Sequence, residues 1–222
     1  MKRTKNPAKE AEYRKRAADL VAQMTLHEKV SQMLSWAPAI ERLGIPAYNW
    51  WSEGIHGVGR AGTATVFPQA IGMAAAFDED MMEQVGNAIG VEARGKYNMC
   101  RAHGDRDIFK GLTVWAPNIN IFRDPRWGRG HETYGEDPFL TSRLGVRFVE
   151  GMQGNDPDYL QAAACAKHFA VHSGPESDRH HFNAIVSKQD LWETYLPAFR
   201  ALVKEAGVEA VMGAYNRTCL LY

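Results

Sequence analysis

The residues most capable of chemistry cluster between the apolar runs of this 222-residue chain. Residues 117–138 hold three arginines and four carboxylates, interrupted by three prolines and three glycines. Proline removes a backbone donor and fixes φ, so this stretch cannot be a regular helix or a central strand. We predict a rigid loop in which most charges satisfy one another as bidentate pairs. Arg129, between Gly128 and Gly130, is the residue expected to reach a ligand.

Two further polar sites carry residue types that suit a ligand rich in hydroxyl groups. Glu53 follows Trp50 and Trp51, and sugars are held by aromatic faces beside a carboxylate that accepts hydrogen bonds from hydroxyls. The alternative is that Glu53 merely accepts from backbone N–H groups in a glycine-rich turn. Lys167 and His168 are adjacent and would point to opposite sides of a strand. At a strand's end the chain can turn so that both face one pocket, although a histidine buried in the wall is the alternative.

Other chemistries have weaker support in the sequence. His168 and His172 have helical spacing for a metal pair, but the glutamate of the zinc-helix motif is absent, and Gly174 and Pro175 favour a loop. Ser173 lacks the Gly-x-Ser-x-Gly context of a serine hydrolase. No glycine-rich loop opens a helix in the way that nucleotide binding requires. We therefore expect neither a metal nor a cofactor.

The composition is that of an ordinary globular protein, with 45% apolar and 23% charged residues. Lys+Arg and Asp+Glu each number 26, so no net field attracts nucleic acid or an anionic membrane. No apolar run is long enough to span a membrane, and no apolar segment follows the basic N-terminus as in a signal peptide. The three cysteines have no metal spacing. We expect reduced thiols in a cytoplasmic protein.

Periodicity, capping signals and apolar runs predict the elements that position these residues. Helices are predicted over 8–24, after the Thr25–Glu28 capping box, from Asp78 to about Gly95, over 139–151, and from the Ser187 capping box to Gly207 with a kink at Pro197. Strands are predicted over 43–51, 71–76, 112–116, 162–169 and 208–215.

Strand, loop and helix follow one another repeatedly, which indicates an α/β fold with parallel strands. The unusual residues come just after strands: Glu53, Arg129, Lys167 with His168, and Tyr215. An eight-stranded β/α barrel places its site at these strand ends, whereas a doubly wound sheet uses one switch point. Contributions from four strands favour the barrel. The chain is short of the roughly 250 residues of a whole barrel.

We therefore expect an incomplete (β/α)8 TIM-barrel-like fold with roughly the first five or six β/α units. The predicted division is an N-terminal helical segment over 1–24 and a partial barrel domain over 25–222.

Four motifs resemble the N-terminal barrel domain of glycoside hydrolase family 3, and they follow the family's order from about Met24 onward. They are Leu-Gly-Ile-Pro through Trp-Trp-Ser-Glu-Gly-Ile-His-Gly-Val at 43–58, Phe-Arg-Asp-Pro-Arg-Trp-Gly-Arg through Gly-Glu-Asp-Pro at 122–138, Ala-Lys-His-Phe at 166–169, and Val-Met-Gly-Ala-Tyr-Asn at 211–216.

The resemblance implies hydrolysis of a terminal, non-reducing β-linked sugar with retention of configuration, as in β-xylosidases and β-glucosidases. The family pattern implies a set of residues that hold the sugar in the first subsite. Hydroxyl contacts are implied for Glu53, Arg129, Lys167 and His168, and lining contacts for Trp115 and Tyr215. The implied partner is a small oligosaccharide or β-glycoside.

The residue at position 53 bears on the sugar. Many β-glucosidases of this family have aspartate there, while the Trp-Trp-Ser-Glu form resembles the β-xylosidase and arabinofuranosidase-like branch. A longer carboxylate would crowd the C6 hydroxymethyl group of glucose, so the resemblance favours pentosides. In the family's N-acetylglucosaminidases, a loop of the Gly-His-Gly-Asp-Thr type follows Lys-His-Phe. Residues 170–174 of this chain have a different sequence, which counts against that activity.

The sequence departs from the family where the reaction itself is concerned. The family nucleophile is an aspartate in a Ser-Asp-Trp or Ser-Asp-Cys context, and neither occurs in this chain. We expect the nucleophile and the general acid to lie beyond Tyr222, so no catalytic residue is assigned. The chain is expected to be a truncated fragment. The alternatives are a non-catalytic sugar-binding remnant and an inactive fragment. Self-association through the incomplete barrel edge is a separate expectation.

Overall fold

A computed structural model of the chain describes residues 3–218. Helix α1 spans Pro7–Gln23, begins with proline at its first turn, and is capped by Asn6, whose side chain accepts from the next turn's N–H groups. Helix α2 spans Leu26–Ser31, and both hydrogen bonds of the predicted Thr25–Glu28 capping box are present. No residue of either helix is buried.

Two long helices, which pack side by side and run in the same direction, form the main helical layer. Helix α4 spans Glu79–Ala102 and helix α5 spans Pro138–Gln153, capped by Asp78 and Asp137 respectively. The apolar face that they share is fully buried and includes Met82, Ile89, Leu144 and Phe148. Helix α4 continues past the end predicted near Gly95, because one glycine in open space costs a helix only about 1 kcal/mol.

The central sheet contains β3 (Thr113–Val114), β4 (Ala163–Phe169) and β6 (Ala210–Gly213), all parallel and in the order β3-β4-β6. Ser52 forms an isolated parallel β-bridge with Val114 of β3, so the chain at residue 52 extends the sheet beside β3. Parallel strands connected through helices confirm the TIM-barrel-like α/β prediction. Within residues 3–218 the sheet is open, and β6 lies at one of its edges.

Short strand pairs flank this sheet. Strand β1 (Trp36–Ala37) pairs antiparallel with β2 (Tyr48–Asn49), so only a part of the strand predicted over 43–51 forms. Strand β5 (Asn183–Ala184) pairs in parallel with β7 (Arg217–Thr218).

The prediction of a strand over 71–76 is wrong. Residues Ala70–Ala74 form helix α3. The run Ile-Gly-Met-Ala-Ala-Ala contains one β-branched residue and several strong helix formers, so its propensity favours a helix. Ala70, Met73 and Ala74 are nevertheless buried, as the apolar run required.

The last helical region begins at the predicted Ser187 cap and ends at Gly207, which has a left-handed φ of 66°. It is divided into α6 (Lys188–Asp190), a π-helical segment over Leu191–Tyr195, α7 (Pro197–Ala201) and a second π-helical segment over Leu202–Ala206. Proline lacks an N–H, and α7 accordingly starts at Pro197. The kink at this position stays a prediction.

Candidate active site

The polar residues singled out in the sequence lie at the carboxyl ends of the parallel strands. Glu53 follows the Ser52 bridge, and Trp115 follows β3. Lys167 and His168 lie near the end of β4, and the peptide bond between them is cis. This edge of a parallel barrel is where loops and strand ends form a site.

Glu53 and Lys167 form an ion pair with 3.3 Å between the Lys167 Nζ and the Glu53 Oε2. The Lys167 side chain is only 3% exposed, whereas that of Glu53 is 32% exposed. A buried ammonium group needs a partner, and Glu53 supplies it. Among residues 3–218 the Glu53 carboxylate accepts from this lysine and not from a glycine-rich turn, so it is held at the rim with one face open.

Arg129 connects the loop to the strand end. Its Nε and Nη2 donate to the two carboxylate oxygens of Glu132 at 2.8 and 2.5 Å, and its Nη1 lies 3.2 Å from the Nε2 of His168. The self-pairing predicted for this loop is also present between Arg126 and Asp124. The loop therefore delivers Arg129 as a fixed, bidentately held cation.

Glu132 is a site residue that the sequence interpretation treated only as architecture. Burial raises the pKa of Glu132, but the hydrogen bond and charge of Arg129, together with the charge of Lys167, outweigh that effect and leave the pKa lowered. Asn118 also donates to it at 3.3 Å. The i,i+3 spacing of Arg129 and Glu132 was the available signal for this pair.

His168 is a neutral, buried imidazole. It is 1% exposed. Burial, followed by the charges of Arg129 and Lys167, lowers the pKa of His168 to about 2. A neutral ring next to two cations can offer a lone pair without adding positive charge.

A surface depression of about 230 Å³ opens beside Glu53 and Glu132, the carboxylates that pair with Lys167 and Arg129. Its volume is below the roughly 300–1,000 Å³ of pockets for drug-sized ligands, so it suits a single small ring. Its lining is formed by Glu53, Gly54, Ile55, His56, Gly57, Gly59, Gln69, His131 and Glu132. The two carboxylates at this opening can accept hydrogen bonds from neighbouring hydroxyl groups, and the cations paired with them carry the donors.

The two predicted lining aromatics have different surroundings. Trp115 stacks on Trp51 with 4.8 Å between ring centroids, so its predicted lining role is not decided by this contact. Tyr215 is 45% exposed and lies against His180, 5.0 Å away between ring centroids. Within the described chain no hydrogen bond or ring contact joins Tyr215 to the charged group, so its lining role stays a prediction.

A second histidine lies behind the site. His172 is 4.6 Å from His168 between ring centroids, and its Nδ1 is 2.6 Å from the Oδ1 of Asn216. Burial first, and then the nearby arginines, lower the pKa of His172. Among residues 3–218, no group of three His, Cys, Asp or Glu side chains is placed to hold a metal ion.

The family model described as the glycosyl hydrolase family 3 N terminal domain matches residues 16–218. The chain belongs to glycosyl hydrolase family 3. The expectation drawn from the four motifs is thereby confirmed at the level of the family.

Curated relatives of this family 3 chain carry xylosidase names. It is 52% identical over 208 residues to the xylan 1,4-beta-xylosidase of Xylanibacter ruminicola, covering 92% of the chain and 24% of that protein. It is 48% identical over 223 residues to the probable beta-D-xylosidase 7 of Arabidopsis thaliana, covering 91% of the chain and 28% of that protein. The chain therefore spans about a quarter of the length of these relatives.

Solved structures show the same fold. The family 3 exo-beta-xylosidase XlnD, in complex with a xylobiose aziridine activity-based probe, matches with a TM-score of 0.82 at 36% identity, over 92% of this chain and 27% of that one. The beta-glucosidase DesR from Streptomyces venezuelae, in complex with D-glucose, matches with a TM-score of 0.74 at 34% identity, over 91% and 25%. No helix within residues 3–218 is long and apolar enough to cross a membrane.

Proposed function

We propose that this family 3 domain holds the terminal sugar of a small β-linked xyloside and forms the substrate-recognition part of a retaining β-glycosidase. The observation that carries the proposal is the grouping of Glu53, Arg129, Lys167 and His168 at one strand-end site. Buried cation–carboxylate pairs with one open face offer both donors and acceptors, which is the chemistry that sugar hydroxyls need.

A preference for pentosides is supported by the longer carboxylate at position 53 and by the names of the relatives. The relatives at 52% and 48% identity are named as xylosidases. DesR, which is named as a beta-glucosidase and whose structure holds D-glucose, is 34% identical. We propose that Glu53 fills the space that the C6 hydroxymethyl group of glucose requires. A β-glucoside substrate is the second candidate.

The reacting groups are proposed to be residues outside these 222. Retaining hydrolysis uses two carboxyl groups about 5–5.5 Å apart, one of them a general acid with a raised pKa. Glu53 is paired with Lys167, and the pKa of Glu132 is lowered, which is opposite to what a general acid requires. These carboxylates suit orientation of hydroxyls rather than proton donation.

Hydrolysis of a chromogenic β-xyloside by the purified 222-residue chain tests this division of roles. We expect the wild-type chain to show no turnover above that of the matched Glu53→Ala variant, although the wild-type chain still binds the sugar. Turnover well above this control would mean that the reacting carboxylates are among the residues described here. The same assay separates an active glycosidase from the alternatives of a sugar-binding remnant and an inactive fragment.

Self-association through the open edge of the sheet is a further proposal about partners. Strand β6 has a neighbour on one side only among the described strands. Next to it, a groove of about 340 Å³ is lined by apolar side chains, including Phe169, Trp192, Val203 and Val211. These four side chains are exposed. Unpaired strand edges and contiguous apolar surface favour association between copies.

Domain division and location also remain proposals. The family match begins at residue 16, inside α1, so it gives no boundary at residue 24. The absence of buried residues in α1 supports a separate segment over 1–24, and limited proteolysis near Met24 would test it.

A reducing, cytoplasmic location is supported by the free thiols of Cys100 and Cys165 and is testable by cell fractionation.

A further inference from the structure

Asn120 is buried at the back of the site, and its amide orientation is fixed by its partners. Its Nδ2 donates to the carbonyl oxygens of His168 and Ala170 at 2.8 and 3.3 Å. Its Oδ1 accepts from the backbone N–H of His168 at 3.0 Å. A carbonyl oxygen can only accept and a backbone N–H can only donate, so the oxygen and nitrogen ends of the amide are assigned without ambiguity.

The orientation of Asn120 decides which nitrogen of His168 carries the proton. The Nδ1 of His168 lies 2.9 Å from the same Oδ1, which has no hydrogen to donate. The Nδ1 must therefore be the donor. The Nε2 is then left with a lone pair, and this lone pair faces the Nη1 of Arg129 at 3.2 Å.

We propose that Asn120 is a positioning residue that fixes His168 in the Nδ1-protonated tautomer, so that the single Nε2 lone pair accepts from Arg129 and holds the guanidinium in the site. The inference rests on the proposed function, because it concerns the same site. It assigns a role to a residue that the sequence interpretation did not single out. A His168 with the opposite tautomer would turn an N–H toward the guanidinium donor and push Arg129 away from the site.

A second asparagine–histidine pair in the same molecule provides a matched control. Asn216 donates through its Nδ2 to the carbonyl oxygens of Val171 and Arg217 at 2.8 and 3.0 Å. Its Oδ1 consequently faces the Nδ1 of His172 at 2.6 Å. The same reasoning gives an Nδ1 proton on His172, whose ring does not contact Arg129 among the described contacts.

The test is the ¹⁵N signature of the histidine rings, recorded by NMR between about pH 5 and about pH 8 without any sugar. The expected spectrum shows a pyrrole-type Nδ1 and a pyridine-type Nε2 for His168. Asn120→Ala is expected to lose this fixed tautomer, and Asn120→Asp to retain it, because a carboxylate still accepts from Nδ1–H. Asn216→Ala is expected to change His172 and leave His168 unchanged.

A merely structural role would give a different pattern. Both Asn120 variants lose the two bonds to backbone carbonyls, so a general packing effect would change the His168 spectrum equally in both. That result, or a wild-type His168 protonated at Nε2, overturns the proposal; the wild-type spectrum requires no variant to fold. In a separate titration, Asn120→Ala is expected to weaken binding of methyl β-xyloside about tenfold or more. Because the tautomer is measured without sugar, a failure of the inference about Asn120 can be distinguished from a failure of the proposed function.

Discussion

At the scale of single residues, the site is a chain of paired charges and one neutral ring, and two of its contacts join residues far apart in the sequence. Lys167 would be costly to bury alone, and Glu53, 114 positions away, makes its burial tolerable. Arg129 is held on one side by Glu132 and on the other by His168. The side chains are thus oriented by the fold itself, and under the proposed function this reduces the entropy that sugar binding must overcome.

Glu53→Asp should shift the preference between sugars. Removing one methylene opens space of the kind that the C6 group of glucose needs, and one methylene in a pocket typically changes relative affinity at least about tenfold. We expect the ratio of methyl β-glucoside to methyl β-xyloside affinity to rise by about that factor in a titration. The matched control is Glu41→Asp on an exposed helical turn. An unchanged ratio would refute the role of Glu53 in selecting pentosides.

Acid should destabilise the fold through His168. Its folded-state pKa of about 2 lies below its unfolded value of about 6.5, so the unfolded chain takes up the proton first as the pH falls. The stabilisation is complete above about pH 6.5 and is lost progressively below it, by about 2 kcal/mol at pH 5. Urea unfolding at several pH values measures this loss.

The control for acid destabilisation is the exposed His27. His168→Asn should make the stability less dependent on pH between about pH 7 and about pH 5, whereas His27→Asn should leave the dependence as in the wild type. Equal slopes for wild type and His168→Asn would show that His168 is protonated in the folded state as easily as in the unfolded one.

At the scale of elements, the sequence patterns predicted most helices and the central strand, because capping residues and apolar periodicity are local signals. Asp78 and Ser187 cap the helices that they were expected to begin. The strand over 71–76 was mispredicted because a short apolar run has no period of its own. Asn120 was missed because its contacts to His168 and Ala170 join distant parts of the chain, whereas Glu132 had a local signal in its i,i+3 spacing from Arg129 that was not used.

Helix α4 packs against α5 through glycine, which gives an element-scale prediction. A methyl group on Gly86 would lie 3.1 Å from both the carbonyl carbon of Phe148 and the nitrogen of Met152. Gly86→Ala should therefore destabilise the fold by about 1–3 kcal/mol, because the two backbones must separate.

The matched control is in the same helix. Gly95 has nothing within 4 Å of its would-be Cβ, so Gly95→Ala should stabilise the protein by about 0.5–1 kcal/mol. Thermal unfolding of both variants measures the difference. Stability changes of the same sign and size would contradict the close approach of the two helices at Gly86.

At the scale of the whole molecule, the open edge of the sheet governs association. Val211 on β6 is 46% exposed within an apolar groove, whereas Val66 is 76% exposed outside that groove. Light scattering should show a mass that rises with concentration for the wild type and for Val66→Lys. Val211→Lys should shift the population toward a single chain, because a charge on an edge strand opposes pairing. A wild type that stays monomeric would exclude this edge as a self-association surface.

Sugar binding at the strand-end site can be measured by titrating the 222-residue chain with methyl β-xyloside and following the NMR spectrum. We expect saturable shifts of the His168 ring and of the backbone near Glu53 and Lys167, and we expect Arg129→Ala to abolish them. Arg126→Ala, which removes an exposed arginine of the same loop, should bind as the wild type does. Saturable binding that Arg129→Ala leaves intact, or no shifts near these residues in a folded wild type, would show that this strand-end site does not bind the sugar.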